Sequence, residues 1–459
     1  MPLRILNPAT DALLAELQED DAPRVAEKVA RARAAQPAWS ATPYAERARV
    51  VERFASRLEE RLEELARVTT AEVGKPITQS RNELRGLLGR VRFFLERTPG
   101  ELADEVVHVD AEGGIEERIR HEPIGVVANV SAWNYPWFVG GNVWVPALLT
   151  GNAVAYKPSE YAALTGLQVE RLWAEAGVPE GAFVAVVGGG AAGAALVDAA
   201  VDAVFFTGSY ATGRRVAERA ASRLVRVQLE LGGKDPAYIC DDVDVASVAG
   251  AVADGAFYNA GQSCCAVERV YVHERVWDAF VEAFVREVRR FVVGDPTDER
   301  TYLGPLARRD AALASVEAQV ADALAKGARC LTGGARVPGP GSWYQPTVLV
   351  DVTDDMAVMR EESFGPVIGL ARVGSDDEAL ARMADTDYGL TAAVYTPDAA
   401  RAARLLERLD VGTAYWNCCD RVSPRLPWTG RKASGLGVTL STYGIEAFTR
   451  PKAWHLRRT

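Results

Sequence analysis

The chain of 459 residues is predicted to be an α/β protein with two parallel-sheet domains, and three observations predict it. The first is a series of short apolar runs separated by helical segments: Gly125–Val130, Ala153–Tyr156, Val184–Val187 and Ala203–Phe206. Strands that alternate with helices imply βαβ units around a parallel sheet buried on both faces. The second is a further set of such runs after Cys240, namely Val270–Val272, Val348–Val350, Val367–Leu370 and Ala392–Tyr395. The third is a hydrophobic content of 48% over this length, enough to fill two or three cores. Two α/β domains in one chain leave a cleft between them.

In chain order, residues 21–97 carry apolar positions at helical spacing, broken near Gly74-Lys75-Pro76, and predict a helical lead-in. The charged, alternating stretch Glu116–Ile124 predicts an exposed β-ribbon. The Gly125–Val130 strand runs into Ser131-Ala132-Trp133-Asn134-Tyr135-Pro136-Trp137. An amide side chain there can donate to a developing oxyanion, worth about 3–4 kcal/mol in comparable sites. An Asn before an aromatic-Pro pair is otherwise an ordinary turn. The next strand ends at Lys157, stopped by Pro158, which sets Lys157 and Glu160 at the carboxyl end of a parallel strand. Open α/β sheets bind ligands at that end. A carboxylate there accepts from both hydroxyls of a ribose and repels a 2′-phosphate, or it is one of two exposed charges on a turn.

Phe205–Gly213 is a strand, a turn with Gly208 and Ser209, and then a helix. Such a turn holds a pyrophosphate on backbone N–H groups or simply caps the helix. Gln228-Leu229-Glu230-Leu231-Gly232-Gly233 closes an apolar strand on a glutamate. That suits a general base acting through water, or a hinge with a peripheral ion pair. Last comes Ala260-Gly261-Gln262-Ser263-Cys264-Cys265-Ala266. Adjacent cysteines hardly meet disulfide geometry. A helical run is expected after them, and a helix N-terminus favours a thiolate.

The net charge of −10 argues against a nucleic-acid footprint. No stretch approaches the about 18 consecutive apolar residues of a membrane-spanning helix, and the first residues lack a secretory pattern. Six cysteines, two adjacent pairs among them, do not make a disulfide framework, so a cytoplasmic, thiol-reduced protein is expected. Four histidines, none in a metal-binding motif, predict no metal site. They also direct the search for a base toward carboxylates.

Together the motifs WNYPW, GNAVAYKPSE, FTGSYATG, LELGGKDP, GQSCC, EESFGP and PWTGRKASG match a known family in order and spacing. The chain resembles the NAD(P)-dependent aldehyde dehydrogenase superfamily, in its hydrolytic, coenzyme A-independent branch, from Asn7 to Lys452. The resemblance implies a Rossmann-like cofactor domain (1–104 and 124–232) and an α/β catalytic domain (233–446). It also implies a small oligomerisation element (105–123 and 447–459). It places the nucleophile on Cys264, the water-activating base on Glu230 and the oxyanion amide on Asn134. Cofactor contacts fall on Lys157, Glu160, Trp133, Gly208, Ser209, Glu362 and Phe364, with NAD favoured over NADP. Tyr135, Trp137, Phe138, Tyr258, Val422 and Trp428 are expected to line the substrate pocket.

Cys265 is expected to pack with its side chain pointing away, with Cys418 or Cys419 near the entrance as better redox partners. Asn142 stands where some family members carry an aromatic residue, which argues against a full aromatic cage for a quaternary ammonium. The aromatic lining favours an aliphatic, aromatic or apocarotenoid-type aldehyde. Arg421 or Arg425 binding a carboxylate would make a semialdehyde dehydrogenase instead. An acylating enzyme and a non-catalytic binding or structural protein on this fold are the remaining alternatives. A homodimer or homotetramer is expected, with no nucleic acid and no membrane partner.

Overall fold

A computed structural model describes residues 2–458; Met1 and Thr459, the ends of two expected ranges, lie outside the described residues. The first sheet lies in the order Gly435–Leu436, Arg226–Glu230, Ala203–Thr207, Val126–Val130, Ala153–Lys157, Phe183–Ala185. Its pairings are parallel except at the Gly435–Leu436 edge. Every residue of Val126–Val130 and Ala153–Lys157 is buried, which is why these strands appear as apolar runs interrupted only by Asn129 and the terminal Lys157. The Gly435–Leu436 edge comes from the range expected for the catalytic domain, so the two sheets share chain. Leu231 N–H donating to Ser434 at 3.0 Å extends that junction.

The second sheet lies in the order Arg329–Thr332, Thr347–Val350, Val367–Val373, Val267–His273, Asp235–Ile239, Thr391–Tyr395, Thr413–Trp416. Only the Arg329–Thr332 edge is antiparallel. Each sheet has its own apolar core.

The helical lead-in is four helices, Ala22–Ala41, Tyr44–Glu60, Leu62–Val73 and Ile77–Glu101. Asp21 caps the first by accepting from Arg24 N–H at 2.9 Å. Gly74, at φ +80°, ends the third, and a Cβ there would lie 2.6 Å from Pro305. The Ile77–Glu101 helix buries Leu84, Leu87, Leu88, Val91 and Phe94, and on the same face Glu83 and Arg90. A hairpin, Leu3–Leu6 with Leu13–Leu17, precedes them and was not expected.

Thr449–Arg457, Ile115–Pro123 and Glu105–Asp110 form a separate antiparallel sheet, the expected ribbon. Val106, Val107 and Val109 stand exposed on its outer strand. Among the described residues no helix is long and apolar enough to cross a membrane.

Candidate active site

The first sheet reverses direction between Val126–Val130 and Ala203–Thr207. Two strands wind outward on one side and Arg226–Glu230 on the other. A crevice opens at the carboxyl ends of strands at such a switch point. Trp133 and Asn134, just past one strand, and Gly208 and Ser209, just past the other, line a cavity of about 820 Å³. The second sheet meets this cavity with its amino ends. The loops leading into Asp235–Ile239, Val267–His273 and Val367–Val373 supply Gly232, then Cys264 and Cys265, then Glu362 and Phe364.

The loop before the thiols is held in an unusual backbone. Asn259, Ala260 and Gly261 have φ of 54°, 55° and 70° in succession, a left-handed run that tertiary contacts must hold in place. Asn259 Nδ2 donates to Asn134 O at 3.2 Å and Gln262 O at 3.1 Å, and its N–H donates to Gln79 Oε1 at 3.0 Å. Gln262 Nε2 donates back to Asn259 O at 3.1 Å, while its Oε1 accepts from Ala307 N–H at 3.0 Å. A Cβ on Gly261 would lie 2.3 Å from the Gly365 carbonyl, so only glycine fits. Asn134 Nδ2 donates to Gln262 O at 3.2 Å, locking the amide to the same loop.

The expected helix after Cys264 is absent. Val267–His273 starts two residues past Cys265, so no helix dipole acts on the thiol from that side. Cys265 also departs from expectation. It is buried, yet it lines the same cavity, and its Sγ donates to Asp420 Oδ1 at 3.0 Å. Ser263 Oγ donates to that oxygen at 3.2 Å. Contact with the Cys264 thiol, and then burial, hold the Cys265 thiol well above the ordinary range. Burial pushes Asp420 up to about 6 against those two hydrogen bonds. Cys418 and Cys419 pack instead with the second sheet's core.

Glu230, the last residue of its strand, is buried and lines the cavity. Gln228 Nε2 donates to its Oε1 at 3.3 Å, and the Thr439 hydroxyl donates to the same oxygen. Burial pushes its carboxyl up to about 7, opposed by Thr439 and by the positive charge of Arg90.

Glu362 accepts from Gly233 N–H at 3.2 Å. Burial and the neighbouring Glu268 raise its pKa. Glu268 shapes the loop, accepting from the N–H groups of Ser363 at 2.8 Å and Phe364 at 3.0 Å and from Lys234 Nζ at 2.7 Å. The ring of Phe364 meets Trp133 edge-on at 5.5 Å between centroids. Ser209 caps the Tyr210–Ala221 helix, accepting from Thr212 N–H at 3.4 Å. Lys157 Nζ pairs with Glu160 Oε2 at 3.3 Å at the carboxyl end of its strand, outside the lining of this cavity.

Tyr135, Phe138, Tyr258, Val422 and Trp428 line the cavity. Trp137 does not. It is fully buried, its indole N–H donating to Thr69 Oγ1 at 2.9 Å, because it occupies the inward face of the Pro136–Leu149 helix. Arg421 and Arg425 line the rim and are exposed. Sequence reasoning missed Arg90, which lines the interior with Asn142, and Glu83, which accepts from the N–H groups of Trp137 at 2.8 Å and Phe138 at 3.1 Å. The signal was present: Glu83, Leu87, Arg90 and Phe94 follow helical spacing, so two charged residues lie on a core face. Among the described residues no cluster of side chains is arranged to hold a metal ion.

A doubly wound sheet whose switch point shares one cavity with a thiol and a buried carboxylate has the arrangement of a nucleotide-dependent enzyme. The chain belongs to the aldehyde dehydrogenase family, whose family model matches residues 2–454. It is 37% identical over 454 residues to a betaine aldehyde dehydrogenase of Cereibacter sphaeroides (strain ATCC 17029 / ATH 2.4.9), across 98% of this chain and 93% of that one. The crystal structure of an NADP-dependent enzyme of Escherichia coli has a TM-score of 0.96 at 33% identity, covering 100% of this chain and 95% of that one. That of an NAD-dependent aldehyde dehydrogenase from Sinorhizobium meliloti has 0.95 at 34%, covering 99% and 91%. The protein is an aldehyde dehydrogenase, an oxidoreductase that uses NAD or NADP.

Proposed function

We propose that the enzyme oxidises its aldehyde to the carboxylic acid through a thioester on Cys264. The observation that carries this is the convergence of Cys264, Asn134 and Glu230 on one cavity from three separate parts of the chain. The Cys264 thiolate adds to the carbonyl carbon, and Asn134 Nδ2 with the Cys264 N–H holds the resulting oxyanion of the thiohemiacetal. A bound nicotinamide supplies the acceptor for the hydride whose departure leaves a thioester. Glu230 takes a proton from water as that water attacks the thioester, the C–S bond breaks to release the acid and the Cys264 thiolate, and Glu230 gives its proton up to the sulfur or to solvent before the next turnover. A carboxyl with a pKa of about 7 is matched to this work at neutral pH.

The residues present fit the dinucleotide. The Tyr210–Ala221 helix begins at the cavity wall, where Ser209 and Gly208 can receive a pyrophosphate together with Trp133. Gly232 leaves room for Glu362, since a Cβ there would lie 2.5 Å from that carboxylate, whose Oε1 accepts from Gly233 N–H and whose Oε2 would bind the nicotinamide ribose beside Phe364. Lys157 and Glu160 would take the adenosine ribose, and Glu160 would repel a 2′-phosphate, so NAD is the preferred cofactor. Phe138, Val139 and Trp428 offer the hydrocarbon part of the substrate an aliphatic and aromatic wall.

Residues 1–104 with 124–232 would bind the cofactor and residues 233–446 would carry the thiol. The ribbon of 105–123 and 447–459 would join copies into a homodimer or homotetramer, since its valines are exposed. The six free thiols suit the cytoplasm.

The test is rapid mixing with NAD and a short aldehyde. Cys264→Ala is expected to form no NADH. Glu230→Gln is expected to release one equivalent of NADH and then turn over about 10²–10⁴-fold more slowly. Full-speed turnover by Glu230→Gln, or stimulation of product formation by coenzyme A, overturns the hydrolytic mechanism.

A further inference from the structure

Arg90 is 5% exposed and faces the interior of the cavity. A guanidinium has five N–H donors, and among the described residues this one makes a single hydrogen bond, Nη1 to Asn142 Oδ1 at 2.6 Å. Its Cζ lies 3.7 Å from the centroid of the Phe138 ring. The two carboxylates nearest in charge are Glu83 and Glu230. Glu83 is already engaged by Lys75 and by two N–H groups, and Glu230 by Thr439 and Gln228. Among the described residues no carboxylate lies within salt-bridge distance of Arg90. Gly86, on the same helix, makes room for the ring that flanks Arg90, since a Cβ there would lie 2.5 Å from Phe138.

A buried cation with no carboxylate in direct contact is costly. One that keeps free donors toward a substrate cavity is arranged for an anion, which it can grip on two parallel N–H groups. We propose that Arg90, oriented by Asn142 and Phe138, is the specificity residue of this enzyme and receives an aldehyde whose carbon chain ends in a carboxylate. This rests on the aldehyde-oxidising reading above. The walls Phe138 and Val139 pack the methylenes between the two ends, so an apolar wall and a charged terminus belong to one substrate. Arg421 and Arg425, exposed where they line the cavity, would draw anions toward it, partly offset by Asp254 and Asp420. A cationic aldehyde would meet Arg90 with like charge.

The experiment is kcat/KM with NAD for butanal, 4-oxobutanoate, betaine aldehyde and a phosphate-bearing aldehyde of similar length, in wild type, Arg90→Met and Arg90→Lys. Wild type is expected to prefer 4-oxobutanoate over butanal by about a hundredfold, the scale of losing one partner of a buried charged pair. In Arg90→Met that ratio is expected to collapse, mostly through KM, and Arg90→Lys to restore part of it. Equal use of butanal and 4-oxobutanoate by wild type overturns the proposal. So does preference for betaine aldehyde or for the phosphate, or an Arg90→Met ratio that stays put while kcat falls for every aldehyde. Competitive inhibition of butanal oxidation by succinate gives a reading on wild type alone if Arg90→Met does not fold; no inhibition counts against the proposal. NADH formation from none of the four aldehydes would sink the aldehyde-oxidising reading instead.

Discussion

Glu230 holds its carboxyl at the end of a buried strand, with the Thr439 hydroxyl and the Gln228 amide on one oxygen. Both hydrogen bonds stabilise the ionised form, and burial opposes them to leave the group at about 7. To act as the proposed base, Glu230 must be ionised so that it can accept a proton. Thioester hydrolysis should therefore fall about tenfold per unit below pH 7 and level off above it. Thr439→Val removes one stabiliser of the carboxylate, so the mid-point of that profile should move upward, measured as steady-state turnover after the NADH burst. An unmoved mid-point would show that Thr439 does not govern the base. At this scale the motif order singled out Cys264, Glu230 and Asn134, and all three line one cavity. Arg90 escaped notice because an arginine on a long surface-like helix passes for a solvated one until its spacing against Leu87 and Phe94 is read.

Among the elements, the loops that lead into strands carry more of the site than the strands do. Gly232 shows how tightly they are fitted. A Cβ there would come within 2.5–2.6 Å of the Glu362 carboxylate, pushing it aside. Gly232→Ala should raise the KM for NAD about tenfold or more, the loss of one charge-assisted hydrogen bond, while the NADH burst at saturating NAD persists. Wild-type KM would place Glu362 outside the cofactor contacts. The strands were legible because burial on both faces leaves continuous apolar runs. Ser209 illustrates a signal with two valid meanings, since it does cap its helix and also lines the cavity. The supposed helix after Cys264 was not legible. The Val270–Val272 run was visible, but its strand starts at Val267, and the intervening residues carry no period of their own. Sequence also could not reveal that the second sheet offers its amino ends to the site, because strand direction relative to a partner domain leaves no local pattern.

At the scale of the molecule, the ribbon projects Val106, Val107 and Val109 at 57, 56 and 61% exposure. Val107→Asp should shift the molar mass measured by light scattering toward the monomer. A wild-type monomer would remove the reason for those valines. The alternating charges of Glu116–Ile124 foretold the ribbon, and the family resemblance joined to it residues 447–459, within which Thr449–Arg457 forms the third strand.

The Gly435–Leu436 edge belongs to the same long return of chain. It pairs with Leu229 and Glu230, and Thr439 follows a few residues on. The thiol and its base are both synthesised well before this clamp. Nascent chain emerging from a ribosome thus displays the Cys264 thiol while the strand bearing Glu230, its proposed base, still has an open edge. Contacts spanning about two hundred residues close slowly, so the proposed catalytic centre is complete only once residues 435–439 have folded back onto the strand that carries Glu230. A prematurely terminated chain would keep Cys264 and Glu230 in its sequence yet lack the hydroxyl and the edge strand that set the base.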